Sequence, residues 1–240
     1  MTEQKPTVVL VHGAFAESAS WYGIVERLQA RHVDVVAAAN PLRGLTSDAA
    51  YVRDVVAGIG GPVVLAGHSY GGMVITEAAA GNAAVTGLVY VCAFAPEHGE
   101  SALQLSAKFP GSTLGQTLTA YPVATGGNEF AIRPDAFHHQ FAADVAPAEA
   151  ALMAATQRPV TEAALTAGLA TKTPAWRSIP SWFVFSDQDL NIPVALHRYM
   201  AERANAKGVR EVAGGSHALT VSDPAAVAAA ILDAVDGSAA

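Results

Sequence analysis

The stretch Val63-Val64-Leu65-Ala66-Gly67-His68-Ser69-Tyr70-Gly71-Gly72-Met73 constrains this chain more than any other. Its four opening apolar residues follow Gly60-Gly61-Pro62 and read as a strand buried on both faces, as in parallel sheets. A helix pattern then runs from Met73 to Ala80 and stops at Gly81-Asn82. Between the two sits Gly67-His68-Ser69-Tyr70-Gly71, the G-x-S-x-G spacing. A strand turning at once into a helix strains its apex residue and brings the residues two before and two after nearly into contact. Glycine at both places removes the Cβ atoms that would clash. The apex serine is left where a base can reach its hydroxyl, and the helix N-terminus offers N–H groups to developing negative charge. Among 21 glycines the pentapeptide alone is weak evidence. Its place between a strand and a helix makes it a nucleophile elbow.

The flanking chain repeats the same grammar. Thr7-Val8-Val9-Leu10-Val11 is a short buried strand ended by His12-Gly13-Ala14-Phe15. Trp21, Ile24, Val25 and Leu28 then form one apolar stripe of a helix. A second strand covers Val33 to Ala37, and Asn40-Pro41 breaks it. Thr46 or Ser47 can cap the next helix, whose stripe is Val52, Val55, Val56 and Ile59. Gly87 to Cys92 is a fourth strand. Strands alternating with amphipathic helices predict an α/β fold: about six mostly parallel strands with helices on both faces.

Regularity lapses between about residues 96 and 178. That span shows no convincing buried strand, only a Gly/Thr-rich stretch and alanine-rich helical segments near 136–143, 148–157 and 162–170. Alternation resumes with a strand from Ser181 to Phe185, a helix after Pro193 and a strand near 208–212. The last helix has Asp223 as N-cap, Pro224 at its first position, and the stripe Val227, Ile231 and Val235. The chain therefore reads as a single domain over 1–240 with a helical lid inserted at about 96–178, above the strand ends where such sheets bind ligands.

Composition narrows the partners. A net charge of −7 argues against nucleic acid and anionic membrane surfaces, which both call for a basic face. No apolar run reaches the length of a membrane span. The start, Met1 to Pro6, lacks the apolar core of a signal peptide, so a cytoplasmic location is expected. Cys92 is the single cysteine, which excludes an internal disulfide and a cysteine-rich zinc site.

A serine nucleophile needs a base, and the base needs a group that orients it. His217 follows the last strand in the glycine-rich Gly214-Gly215-Ser216-His217, at the same sheet edge as the elbow. It is the expected base. His68 points elsewhere on this reading, and His12 shapes the first turn. His32, His98 and His197 are placed at helix ends or on polar faces. His138 and His139 lie in the lid without partners at metal-ligand spacing. For the acid, Asp187 and Asp189 both follow the strand ending at Phe185; spacing does not separate them, although Asp189 lies farther clear of the strand. Glu97 is a third candidate, whereas Asp48, Asp54, Asp223 and Asp233 read as caps or surface groups. Two oxyanion N–H groups are expected, from Tyr70 and from the loop His12-Gly13-Ala14-Phe15.

These four motifs, His12-Gly13-Ala14-Phe15, Gly67 to Gly72, Ser186 to Pro193 and Gly214 to His217, resemble those of the α/β-hydrolases. More narrowly, the chain is similar to the small serine esterase branch that includes plant methyl esterases, pyrethroid-hydrolase-like bacterial esterases and hydroxynitrile lyases. The resemblance implies Ser69 as nucleophile, His217 as base, Asp189 as acid, and Ala14 and Tyr70 as oxyanion donors. It implies no metal and no organic cofactor. Lid contacts do not carry over; Phe15, Phe94 and Trp176 are the substrate-contact candidates, with Phe137, Phe141, Leu152 and Met153 as further pocket walls.

The expected activity is that of a serine carboxylesterase on small, fairly apolar esters, as a monomer or homodimer. The alternatives within the same fold are a hydroxynitrile lyase-like C–C lyase, a cofactor-free perhydrolase and a low-turnover ligand receptor. Lyases of the branch carry threonine where this chain has Gly13, and lysine where it has Ala218, which favours hydrolysis here.

Overall fold

The computed structural model describes residues 5–238. Met1 to Gln4, part of the start read over Met1 to Pro6, lie outside the described residues, as do 239–240. The first half runs β1 (Thr7–Val11), α1 (Tyr22–Gln29), β2 (Val35–Ala38), α2 (Leu45–Ile59), β3 (Val63–His68), α3 (Gly71–Ala79) and β4 (Val85–Val91). An insertion follows: α4 (Ala102–Ser106), β5 (Leu118–Pro122), β6 (Asn128–Ile132), α5 (Pro134–Phe141), α6 (Pro147–Thr156), β7 (Val160–Thr161) and α7 (Glu162–Thr166). The chain then returns through β8 (Ser181–Ser186), α8 (Val194–Arg203), β9 (Gly208–Val212), α9 (Leu219–Ser222) and α10 (Pro224–Gly237).

Six strands form one parallel sheet in the order β2-β1-β3-β4-β8-β9. All six residues of β3 and of β8 are buried, as their continuous apolar runs require. The α1 stripe seats Ile24 and Leu28 at 0% exposure, and a fully buried side chain of that size contributes about 1.5–3 kcal/mol. The order reverses between β1 and β3, so the loops after these neighbours leave on opposite faces and open a crevice at their carboxyl ends. That crevice is where the elbow lies.

Several boundaries shift for local reasons. Val33 N–H closes the end of α1 by donating to Leu28 O, so β2 begins at Val35. β4 starts two residues early, at Val85, and stops before Cys92, which turns left-handed at φ 41°. Neither Thr46 nor Ser47 caps α2. Gly44 stands at its N-cap, and the carboxylate of Asp48 accepts from Arg43 N–H (3.1 Å) and Gly44 N–H (3.4 Å). Asp223 does cap α10, accepting from Ala226 N–H at 3.0 Å.

The insertion corrects the sequence reading most. It holds a three-stranded antiparallel sheet in the order β5-β6-β7 as well as its short helices. Most of β5 is exposed, and the β5–β6 turn places Gly126 and Gly127 at φ 92° and 79°. β5 faces solvent and β7 is only two residues long, so neither carries the long buried apolar run that announces a core strand.

Candidate active site

Ser69 sits at the turn between β3 and α3 with φ 54°, a left-handed conformation that costs a non-glycine residue about 1–3 kcal/mol. Its N–H donates to Val91 O (3.2 Å), and its carbonyl accepts from Gly72 N–H and Phe94 N–H. These bonds hold the strained apex. A Cβ added to Gly67 would lie 2.6 Å from Gly71 O, and one on Gly71 would lie 2.3 Å from Val11 O. Both contacts are with backbone, so neither can be relieved by a rotamer change. Gly71→Ala is expected to lower the unfolding free energy by roughly 1–3 kcal/mol in a urea titration, the usual range for overpacking. A wild-type midpoint would show that β1 and α3 can separate freely.

Gly13 presses on the elbow from the other side. A Cβ there would stand 2.6 Å from Ser69 Cβ and 2.7 Å from His68 O. The loop that brings it in is fixed by Asn40, whose amide donates to His12 O (2.9 Å), and by His12 Nδ1–H, which donates to Gly13 O (2.9 Å). Burial drives the His12 pKa down to about 4, so the ring is neutral and serves the turn.

Asp189 and His217 meet in the interior, with His217 Nδ1 2.7 Å from Asp189 Oδ2. The carboxylate accepts four hydrogen bonds. Asn191 N–H (2.8 Å) and Ile192 N–H (2.9 Å) bind Oδ1, while His217 and His197 Nε2 (3.2 Å) bind Oδ2. Burial works against the charge on Asp189, yet His217 and the histidine hydrogen bonds outweigh it and hold the carboxyl well below the usual range. Asp187 is placed otherwise: it accepts Gly214 N–H at 2.7 Å and braces the neighbouring loop. Glu97 pairs with Arg177.

His197 is not on a polar face. It is buried, stacked on Phe185 with ring centroids 5.0 Å apart, and kept neutral by desolvation. His68 Nε2–H donates to the carbonyl of His217 at 3.0 Å and so anchors the histidine loop; burial lowers its pKa to about 3. Asp48 does more than bond the backbone at the start of α2. Its fully buried carboxylate accepts the hydroxyl of Tyr70 at 3.0 Å, tying the residue after Ser69 to the start of α2. Burial raises the pKa of both groups.

Ser69, Ala14, Tyr70, Phe15 and Phe94 line one cavity of about 120 Å³. The insertion adds Leu103, Leu114, Leu118 and Leu165, the Asp189 loop adds Asn191 and Ile192, and no charged side chain lines it. Trp176 does not reach this cavity. Its indole donates to Pro96 O (2.9 Å), with the guanidinium groups of Arg177 and Arg203 4.9 and 5.7 Å from the ring centre, away from the cavity. Nor do Phe137 and Phe141 line it: they stack on each other, and Phe141 stands edge-on to the His217 ring. Leu152 and Met153 wall a separate surface cleft that shares only Phe15 with the cavity. Cys92, Asp189 and His197 bring ligand-capable atoms within 4.8 Å of one another. The carboxylate there is already saturated, and burial pushes the Cys92 thiol up, away from the thiolate a metal needs.

The sequence pattern of the alpha/beta hydrolase family matches residues 8–230. The chain belongs to that family. This hydrolase is 29% identical over 223 residues to the alpha/beta hydrolase nvfD of Aspergillus novofumigatus (strain IBT 16806), covering 84% of this chain and 85% of the relative. Over a shorter span of 63 residues, 24% of this chain and 26% of the relative, it is 48% identical to a carbendazim hydrolyzing esterase of Nocardioides sp. (strain SG-4G). Among solved structures the hydrolase is similar to polyneuridine aldehyde esterase, with a TM-score of 0.81, 22% identity, and 96% and 99% of the two chains covered. It is also similar to a pyrethroid hydrolase from Sphingobium faniae JZ-2, with a TM-score of 0.75, 23% identity, and 96% and 97% covered. At these identities the structural likeness establishes the fold. Among the described residues no helix of the hydrolase is long and apolar enough to cross a membrane.

Proposed function

We propose that this hydrolase is a serine carboxylesterase for small, uncharged, fairly apolar esters, working as one domain whose insertion roofs the site. One observation carries the reading. His217 is bonded through Nδ1 to the buried, ionised Asp189 at the sheet edge where Ser69 opens into an apolar cavity. With Nδ1 so engaged, Nε2 of His217 is the nitrogen free to take the Ser69 proton as the hydroxyl attacks the ester carbonyl. The N–H groups of Ala14 and Tyr70 hold the oxyanion, and Asp189 stabilises the imidazolium. His217 returns the proton to the leaving alcohol. Water, deprotonated by the same ring, then releases the acid and regenerates Ser69.

Esterase names among the relatives and structural neighbours support this reading. Gly13 and Ala218 speak against cyanohydrin cleavage: Ala218 offers no cation to a departing cyanide, and a threonine at position 13 would collide with the Ser69 Cβ. Wild type and Ser69→Ala tested against a fluorophosphonate probe and a panel of esters and cyanohydrins decide the matter. Stoichiometric labelling and ester hydrolysis are expected in wild type, and both are lost in Ser69→Ala. Labelling at another serine, or faster release of cyanide than of any acid, would sink the proposal.

A further inference from the structure

The buried acid Asp189 is bonded by a second histidine that the hydrolytic cycle does not use. His197 lies in the first half of α8 with its side chain buried and its ring stacked on Phe185. Its Nε2 is 3.2 Å from Asp189 Oδ2, the same oxygen that His217 Nδ1 meets at 2.7 Å. An ionised carboxylate can only accept, so Nε2 of His197 carries the proton. Nδ1 has no partner, which suits the bare nitrogen of a neutral ring; on an imidazolium it would be a buried N–H without an acceptor. Burial favours the same neutral form. Two imidazole donors thus share one oxygen, while the backbone N–H groups of Asn191 and Ile192 occupy the other.

A carboxylate oxygen shared between two donors has less negative charge to offer either of them. We infer that His197 is a positioning residue for the reaction: its N–H holds Oδ2 in place and draws on its charge, so that His217 keeps Nε2 free for the Ser69 proton down to lower pH than Asp189 alone would allow. The inference rests on the esterase reading and adds to it what sets the working pH range of the site. The other ionisable groups packed around the two rings do not supply this effect. Cys92, just after β4, has its thiol pushed up by burial. His68, at the end of β3 with its ring 4.7 Å from that of His217, is held at about 3 by burial and stays neutral. Glu211 on β9 is exposed and paired with Arg198, which holds its carboxyl below the usual range. Asp187, on the loop of Asp189, is turned to Gly214 N–H.

The test compares His197→Phe, which keeps a flat ring against Phe185 but has no donor, with His197→Gln, which restores one. kcat/KM is followed from about pH 5 to pH 9 on ethyl butyrate, chosen as a slow ester so that chemistry limits the rate. Enzyme is counted by fluorophosphonate labelling, and its fold is checked by circular dichroism at each pH. In His197→Phe the acid limb is expected to move up by about half a pH unit or more, because Asp189 then gives its full charge to the His217 imidazolium, while KM stays within about twofold. In His197→Gln the limb returns to within about 0.2 of a pH unit of wild type. A packing role alone would lower the folded fraction and leave the limb in place. An unmoved or falling limb in His197→Phe therefore overturns the inference, as does a glutamine variant that shifts as far as the phenylalanine one. Should His197→Phe not fold, ¹⁵N NMR of histidine-labelled wild type decides. The ring whose signals vanish in His197→Gln is expected to carry its proton on Nε2 and to stay neutral down to about pH 5. A proton on Nδ1, or a ring that charges in step with the acid limb, overturns the inference. Wild type that neither labels at Ser69 nor hydrolyses any ester of the panel fails the esterase reading, and the inference falls with it.

Discussion

Asp189→Asn is expected to lower kcat by about 10⁴-fold, and Asp187→Asn to cost less than about tenfold. The two side chains are neighbours in sequence and do different work. Asp189 takes Nδ1–H of His217 and so keeps Nε2 unprotonated towards Ser69. An amide presents the ring with a donor as readily as an acceptor, which favours the wrong tautomer. It also withdraws the charge that stabilises the imidazolium. Asp187 gives up only its bond to Gly214 N–H, a brace at the protein surface. Steady-state kinetics on one ester, with folding checked by near-UV circular dichroism, compares the two. The opposite ranking would place the working carboxylate at Asp187.

Acid will unfold this protein early, and its histidines are the reason. Burial holds His12 at about 4 and His68 at about 3, against about 6.5 in an unfolded chain. The folded-state values are depressed, so below pH 6.5 the unfolded chain binds protons that the folded one refuses. Stability is fully present above pH 6.5 and falls as the pH drops, until each ring protonates in the folded state. Each histidine then contributes a loss of about 1.4 kcal/mol per pH unit, and the pair sums to about 4 kcal/mol between pH 8 and pH 5. His197, also lowered, adds to the slope. Asp48 works in the opposite sense, because its raised pKa lets the folded state take a proton first. Urea unfolding at pH 8, 6.5 and 5 measures the sum; a flat midpoint across that range rules out buried neutral histidines.

What the sequence disclosed and what it withheld follow one physical division. The elbow, the buried strands and the amphipathic helices rest on neighbours along the chain, so spacing and periodicity reveal them. The bonds that tune the site do not. Tyr70 meets Asp48 across 22 positions, and Asp189 meets His217 across 28. His197 looked like a surface residue because α8 is polar overall; its position under Phe185 depends on how that helix packs on β8. Gln140 Nε2–H donates to Asn191 Oδ1 across 51 positions, a bond no local pattern announces. Trp176 was a reasonable pocket wall by size, but its indole N–H needs an acceptor, and the carbonyl of Pro96 holds it away from the cavity. β5 escaped because solvent exposure erases the pattern that marks a core strand.

Backbone hydrogen bonds run at four places between the insertion and the loops that carry the site. Phe15 N–H donates to Arg158 O, Thr161 N–H to Leu42 O, Thr113 N–H to Leu190 O, and Ala218 N–H to Phe141 O. Such stitches are blind to side-chain identity, proline aside. The side chains that the insertion turns toward Ser69, among them Leu103, Leu114, Leu118 and Leu165, are free of that duty. Exchanging them leaves those backbone bonds in place. To that extent, change in the lining of the cavity is separable from change in the loops that place Ser69, Asp189 and His217.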